Sequence, residues 1–291
     1  PNVKSYLRNH LTRILLPLRA FRLGLRNRFA SSTILDPAGP TISMTTYGLR
    51  LKDVHIVIET IAKGTVRPSR LMLYLDVEED VLHPNKALER LKKRGLEIHL
   101  AENLGPHTKV QWWIQNAPDF SRPHIIVDDD IFYPKWWLKR MLEAAKQEPT
   151  SIMAYRAHRI VLTDDKKGLT PYTSWPPAIK GPSLLNLATG CSGVLLPPNF
   201  LQIMREAGDG FLETCPRADD IWHAFQSIEH GVGIGLVTEE SIHFDMIPGS
   251  QEQALHTTNV SEQQNDVQLR QTFLPSTYAL LAEEERLLEQ V

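Results

Sequence analysis

The run His124-Ile125-Ile126-Val127-Asp128-Asp129-Asp130 is an apolar segment that ends in three consecutive carboxylates, and Ile131-Phe132-Tyr133-Pro134 follows it. A short apolar run of this kind reads as a buried strand. Three anions at the end of such a strand repel one another, so positive charge belongs among them. A hard divalent cation, Mg²⁺ or Mn²⁺, meets that need, because it takes carboxylate oxygens and keeps positions open for substrate phosphates. The alternative is a solvated turn whose carboxylates cap the next helix. Three acids in a row concentrate more charge than a cap requires, so the stretch points to chemistry on a phosphorylated substrate.

Upstream of this run, β-like and helical segments alternate. Residues 41–46 read as a strand; Leu51, Val54, Ile58 and Ile61 recur at helical spacing, with Gly64 as a stop. Residues 70–76 read as a strand, 85–94 as a helix ending at Gly95, 96–100 as a third strand and 106–116 as a helix. Strands joined by single helices imply an α/β fold with a largely parallel sheet, whose ligands bind at the carboxyl ends of the strands. Thr45-Thr46-Tyr47, Asp76, the loop 102–109 and Asp128-Asp129-Asp130 all fall at such ends and are expected on one rim. Downstream, helices are expected over 134–147, 198–207, 219–230 and 277–289, and strands over 189–196 and 232–237. The stretch 163–183, rich in Pro, Gly and Lys and holding Tyr172 and Trp175, reads as a long loop of the kind that forms lids. Residues 244–262 are polar and irregular.

The chain has 291 residues, enough for one large α/β domain or two small ones. Residues 1–35 carry Lys4, Arg8, Arg13, Arg19, Arg22, Arg26 and Arg28 and no acid, which leaves the remainder with 25 basic residues against 34 acidic ones. An acidic body argues against a nucleic-acid partner. Two cysteines, Cys191 and Cys215, give no disulfide framework and fit a reducing compartment. No apolar run is long enough to span a membrane, and the arginines around Ile14-Leu15-Leu16-Pro17-Leu18 make a poor secretion signal. Leu7, Leu11, Ile14, Leu18, Phe21 and Leu25 recur at spacings of 4 and 3 along one helical stripe, which Pro17 is expected to kink or split. A basic amphipathic helix of this kind either lies on an anionic membrane surface, using residues 1–30, or packs on the domain or a second subunit with solvated arginines. The expected location is cytoplasmic, free or peripheral on the inner face of the membrane.

A second acidic pair stands in Arg217-Ala218-Asp219-Asp220-Ile221-Trp222, where a helix starts. Two carboxylates there either answer the helix dipole or supply a general base for a hydroxyl. Together, His124-Ile-Ile-Val-Asp128-Asp129-Asp130 and Ala218-Asp219-Asp220-Ile221-Trp222 resemble the nucleotide-sugar glycosyltransferases of the GT-A fold, in particular the bacterial inverting group called family 2, over residues 41–237. The resemblance implies a GT-A, Rossmann-like, mostly parallel sheet flanked by helices, with helical extensions at both ends. It implies a catalytic domain at 39–245, with a nucleotide-binding half 39–130 and an acceptor half 131–245, after a basic segment 1–38 and before an extension 246–291.

Residue by residue, the resemblance implies that Asp128 lies near the ribose, that Asp130, with Asp128, holds Mn²⁺ or Mg²⁺ against the diphosphate, and that Asp129 is the variable middle position. Thr45, Thr46 and Tyr47 match the nucleobase site, and Asp76 a base or ribose contact. The loop 102–109 matches the wall of the nucleotide pocket, where Lys109 adds a point charge at a helix start. Asp219 or Asp220 matches the base. The family usually reads Glu-Asp there and follows it with Gln-x-x-Arg-Trp, which this chain lacks, so a single-addition transferase fits better than a processive synthase.

Thr189-Gly190-Cys191-Ser192-Gly193 resembles the small-residue segment facing donor sugar and acceptor, or is a β-bulge in a core strand. Cys191 reads as a small buried residue. His243 or His256, with Leu255-His256-Thr257-Thr258-Asn259 preferred, matches a histidine that completes the metal shell, and Asn265-Asp266 either contacts the phosphate side or caps the last helix. The implied partners are a nucleotide-sugar donor, UDP-sugar favoured, and a glycan or lipid-linked acceptor hydroxyl, in bacterial surface polysaccharide or glycoconjugate synthesis. Oligomers are compatible with the sequence. Tyr172 and Trp175 are expected to close over the donor. Retaining enzymes share the fold and the Asp-x-Asp element. A nucleotidyltransferase would carry a Gly-rich basic signature near the first strand, which 41–52 lacks, and a non-catalytic glycan-binding protein would bind no nucleoside diphosphate.

Overall fold

The computed structural model describes residues 3–249 and 264–290. In chain order its elements are α1 (Val3–Phe29), β1 (Thr41–Thr45), α2 (Val54–Ala62), β2 (Arg70–Leu75), α3 (Glu78–Leu82), α4 (Lys86–Lys92), β3 (Leu96–Leu100), α5 (Thr108–Asn116), β4 (His124–Ile126), α6 (Trp137–Gln147), β5 (Ile152–Ala154), β6 (Ala157–Arg159), β7 (Asn186–Ala188), β8 (Val194–Leu196), α7 (Pro198–Ala207), α8 (Phe211–Thr214), α9 (Asp219–Glu229), β9 (Ile234–Leu236), α10 (Gln264–Thr272) and α11 (Pro275–Leu288).

Seven strands form one sheet in the order β3-β2-β1-β4-β8-β5-β9. β1 to β4 are mutually parallel and β5 is parallel to β9, whereas β8 pairs antiparallel with both β4 and β5. The sheet is thus mostly parallel, as α/β alternation implies. Chain order runs outward from β1 to β3 and then returns to β4 on the other side of β1, so the direction of winding switches between β1 and β4. Their carboxyl ends open a crevice there.

Alternating residues send side chains to two cores, one on each sheet face. Ile125 and Val127 join Ile42, Met44, α2, α4 and α6 on one side, and Ile126 joins Met72, α5, α7 and α9 on the other. Asn85 caps α4, its Oδ1 accepting from the amides of Ala87 and Leu88. One buried polar chain ties β1, β4 and α5 together. The Ser43 hydroxyl donates to the carbonyl of Lys109, so it must accept from His124 Nε2 at 2.6 Å, which leaves His124 Nδ1 to accept from Thr41 Oγ1 at 2.7 Å. Burial holds His124 well below the ordinary histidine range, consistent with that neutral tautomer.

Helix α1 is continuous through Pro17, where the sequence led us to expect a kink or split. Its C-terminal half packs on α2 and α4 through buried Leu23 and Asn27. Fully buried Glu59 of α2 is held there by Arg94 and by Arg26 of α1, the latter at 3.0 Å. Of the expected strand over 189–196 only Val194–Leu196 is strand, because 189–193 is a turn that follows β7, and β5, β6 and β7 lie where no strand was expected. Among the described residues no helix is long and apolar enough to cross a membrane.

Candidate active site

Six segments bring the expected chemistry to the β1/β4 crevice. They line one cavity of about 530 Å³. Thr45, Thr46, Tyr47, Asp76, Lys109, Asp128, Asp129, Asp130, Gly190, Asp219 and Asp220 all border it, so the structure brings eleven of the twelve expected site residues together. The twelfth, His256, lies outside the described residues. His243 and Asn265 also border the cavity, while Asp266 instead accepts a hydrogen bond from the Tyr172 amide at 2.9 Å.

The positive charge that the three aspartates require is supplied by side chains. Lys109 Nζ meets Asp128 Oδ1 at 2.9 Å, and Arg50, from the 3-10 turn after β1, meets Asp129 Oδ1 at 2.7 Å and Asp130 Oδ2 at 3.4 Å. The Thr46 hydroxyl donates to Asp129 as well. Asp129, the middle position, therefore faces the β1 loop, and burial still raises its pKa against the pull of Arg50.

Lys109 has a second partner. Its Nζ lies 2.9 Å from Asp219 Oδ2, as an ion pair rather than an aligned hydrogen bond, so one ammonium bridges the two acidic centres. Burial opposes its charge, yet Asp128 and Asp219 hold its pKa above the ordinary lysine value. The approach depends on neighbouring geometry. His107 Nε2 donates to the carbonyl of Cys215 at 2.9 Å and its ring stacks on Phe211, tying the start of α5 to the segment that opens α9. Gly190 completes the fit, because a Cβ there would meet Lys109 Nζ at 2.8 Å and Asp128 Oδ1 at 3.2 Å. Ser192 and Gly193 take the left-handed conformation, and a Cβ on Gly193 would strike Trp137. The 189–193 segment is therefore a tight turn that faces the cavity at Gly190, not a bulge within a strand.

Asp219 and Asp220 differ sharply although they are adjacent. Burial works to raise Asp219, but Lys109, His223 and His107 hold it below the usual carboxylate range. Asp220 is pushed up to about 7, first by burial and then by the charge of Asp219. Its Oδ1 accepts from the Ile221 amide at 2.9 Å, and it borders the cavity. The pair thus separates into a carboxylate ion-paired with Lys109 and one that titrates near neutral pH.

For a divalent cation, the donor set is chemically suitable. Asp128 and Asp130 offer hard oxygens on the cavity wall, and Asp128 Oδ2 takes no hydrogen bond from the described residues. Among those residues no three His, Cys, Asp or Glu side chains converge as a preformed cage. Mg²⁺-type ions are commonly held by one or two carboxylates plus substrate phosphates, so two aspartates fit.

Sequence reasoning missed Arg50, Arg156 and Arg217, which also line the cavity. Arg156 donates to Thr189 Oγ1 at 3.0 Å and has no carboxylate partner among the described residues. Isolated arginines in loops carry no pattern that singles them out. Of the two aromatics expected over the donor, Tyr172 borders the cavity; Trp175 does not, being 6% exposed in the core with Nε1 donating to the Thr170 carbonyl. Cys191 is pushed up to about 12 by burial and nearby carboxylates, which suits a small packed residue and not a nucleophile.

No family model and no curated protein matches the chain. Solved structures do. A mannosyltransferase from Pyrobaculum calidifontis, in complex with GDP-Man and Mn²⁺, aligns with 97% of this chain and 80% of its own at a TM-score of 0.52 and 13% identity. GalNAc-T7 with UDP, GalNAc and Mn²⁺ aligns with 74% of this chain and 45% of its own (TM-score 0.47, 13% identity). 4-Diphosphocytidyl-2C-methyl-D-erythritol synthase from Anaerococcus prevotii aligns with 79% and 98% (TM-score 0.47, 12% identity). The first of these likenesses, together with the strand order, establishes the GT-A fold that the sequence resemblance implied.

Proposed function

We propose that this chain is a metal-assisted glycosyltransferase that moves a sugar from a nucleotide-diphosphate donor, UDP-sugar favoured, to a hydroxyl of a glycan or lipid-linked acceptor, with inversion at the anomeric carbon. One observation carries the reading: a single cavity holds a cation-compensated carboxylate cluster at the end of β4 and, joined to it through Lys109 and Asp219, the Asp220 carboxyl raised to about 7. The first suits binding of a charged leaving group and the second suits removal of a proton.

In this reading residues 39–130 hold the nucleotide and 131–245 the acceptor. Thr45, Thr46, Tyr47 and Asp76 border the nucleoside, and Asp76 is steadied by Asn103 Nδ2, 2.6 Å from its Oδ2. Asp128 and Asp130 would hold Mn²⁺ or Mg²⁺, which when bound neutralises charge developing on the departing diphosphate. Lys109, already placed by Asp128 and Asp219, adds fixed positive charge beside that group without reorganising. Gly190, lacking a side chain, lets Lys109 and Asp128 pack against the turn 189–193 at the cavity wall. Asp220 takes the proton of the acceptor hydroxyl as its oxygen attacks the anomeric carbon from the face opposite the leaving group.

Thermal-shift measurements with nucleoside diphosphates, with and without Mn²⁺, test the donor half. A metal-dependent rise in Tm that disappears in Asp130→Ala is expected; no shift with any nucleoside diphosphate and either metal refutes it. Proton NMR of the product anomer tests the other half, and retention of configuration would remove Asp220 from the role of simple base.

A further inference from the structure

Helix α1 has two faces, and the expected apolar stripe is not the one that docks. At 100° per residue, Leu16, Ala20, Leu23 and Asn27 fall in one sector, which packs on the domain. Leu18, Phe21, Leu25 and Phe29 fall in the opposite sector. They are exposed, Phe21 by 63% and Phe29 by 75%, and Leu15 beside them by 54%. These five make up a third of the fifteen large apolar side chains exposed among the described residues, all on one helix, so the patch is concentrated and not scattered. The same 3-and-4 spacing runs on in the sequence through Ile14, Leu11 and Leu7.

The surroundings are cationic. Arg22 and Arg28 flank the exposed stripe on either side and are themselves exposed. Residues 1–35 contain no acid to neutralise them. The docked face, by contrast, is fixed: Arg26 is spent on buried Glu59 and Arg19 lies over the Phe132 ring at 4.5 Å.

We infer that the outward face of α1 lies on an anionic lipid membrane, with Leu18, Phe21, Leu25 and Phe29 at the headgroup–acyl boundary and Arg22 and Arg28 against lipid phosphates. A second copy of the chain is a poorer occupant, because two-fold pairing of this face with itself brings the arginines of both helices together with no acid on either. From residue 15 to residue 29 the stripe spans about 21 Å, long enough to lie along a surface. The inference does not depend on the transfer reaction.

The test is co-sedimentation of the full chain with vesicles of phosphatidylcholine alone and of phosphatidylcholine containing about a third phosphatidylserine. Binding to the anionic vesicles, weak binding to the neutral ones and loss at high salt are expected. Phe21→Ser with Leu25→Ser should abolish binding, and Arg22→Gln should weaken it about fivefold. These side chains are exposed, so Tm and nucleotide-induced thermal shifts should be unchanged in each variant. Equal binding to both vesicle types, undiminished binding by both variants, or a dimer in light scattering that Phe21→Ser with Leu25→Ser converts to monomer would overturn the assignment. Should the double variant misfold, Arg22→Gln alone decides it.

Discussion

The two acidic centres of the cavity use the same side chain and differ in their supply of counter-ions. At the end of β4, Asp128 and Asp130 meet Lys109 and Arg50, and Asp129 meets Arg50 and Thr46. At the start of α9 one cation serves two carboxylates, and Asp219 takes it. For Asp220, burial and the charge of Asp219 outweigh the pull of Lys109 and the Ile221 amide, and its pKa climbs to about 7. The lesson is general: among clustered carboxylates, the distribution of cations separates those that hold ligands from those that move protons.

The comparison can be broken at Asp220. Asp220→Asn is expected to lower kcat by about 100- to 10,000-fold while leaving nucleoside diphosphate binding intact by calorimetry. Retained turnover would mean that the two centres do not divide the work. The same variant should be more stable than the parent at pH 8, because the parent must ionise a crowded carboxyl there. Next in size is Lys109→Met, which leaves Asp128 and Asp219 without their shared cation. A loss of about 3–5 kcal/mol in urea unfolding is expected, together with a further rise in the Asp220 titration; an unchanged unfolding midpoint would show that Lys109 is dispensable to both centres.

The pH dependence sharpens the same contrast. With Asp220 raised from 3.8 to about 7, kcat/KM should fall about tenfold per pH unit below 7 and level off above it. The linked stability has the opposite sense. Protonated Asp220 contributes stability that is complete below 3.8 and is lost as the pH rises through about 7. Thermal melts across that window, compared with Asp220→Asn, should show the two curves diverging as the pH rises. The smallest effect belongs to Gly190→Ala, whose methyl crowds Lys109 and Asp128. A destabilisation of about 1–3 kcal/mol and a raised KM for the donor are expected; wild-type values would mean that the turn yields freely.

Much of the first half of the chain was legible because its signals are local. The 96–100 strand was read to the residue, and the 41–46, 70–76 and 124–127 strands to within one residue, since each is a short apolar run closed by a turn or charge. The rim followed, because a parallel sheet places those ends together. What escaped depends on pairing across distance. β5, β6 and β7 are short strands defined by their pairing, β5 with β8 and β9 and β6 with β7, which no local pattern declares. The ion pair from Lys109 to Asp219 joins residues far apart in sequence, so the choice between Asp219 and Asp220 stayed open until the geometry assigned the cation. Helix α1 was legible in its stripe and misleading in its docking. The face that packs carries Ala20 and Asn27 beside Leu16 and Leu23, a mixture that no hydrophobic pattern selects.

β8 runs against its neighbours, and this decides which of its two connections meets the substrate. A parallel strand delivers its exit to the carboxyl rim. β8 delivers its entrance, so the turn 189–193 stands over the cavity while Pro197 and α7 begin at the far edge of the sheet. Its register is pinned on both sides, by Ile125 opposite Leu195 and by Met153 opposite the same residue. Side-chain changes at Thr189 and Cys191, which border the cavity, can therefore reshape the mouth of the site without sliding the strand behind it, whereas Gly190 and Gly193 are held by close packing against Lys109 and Trp137.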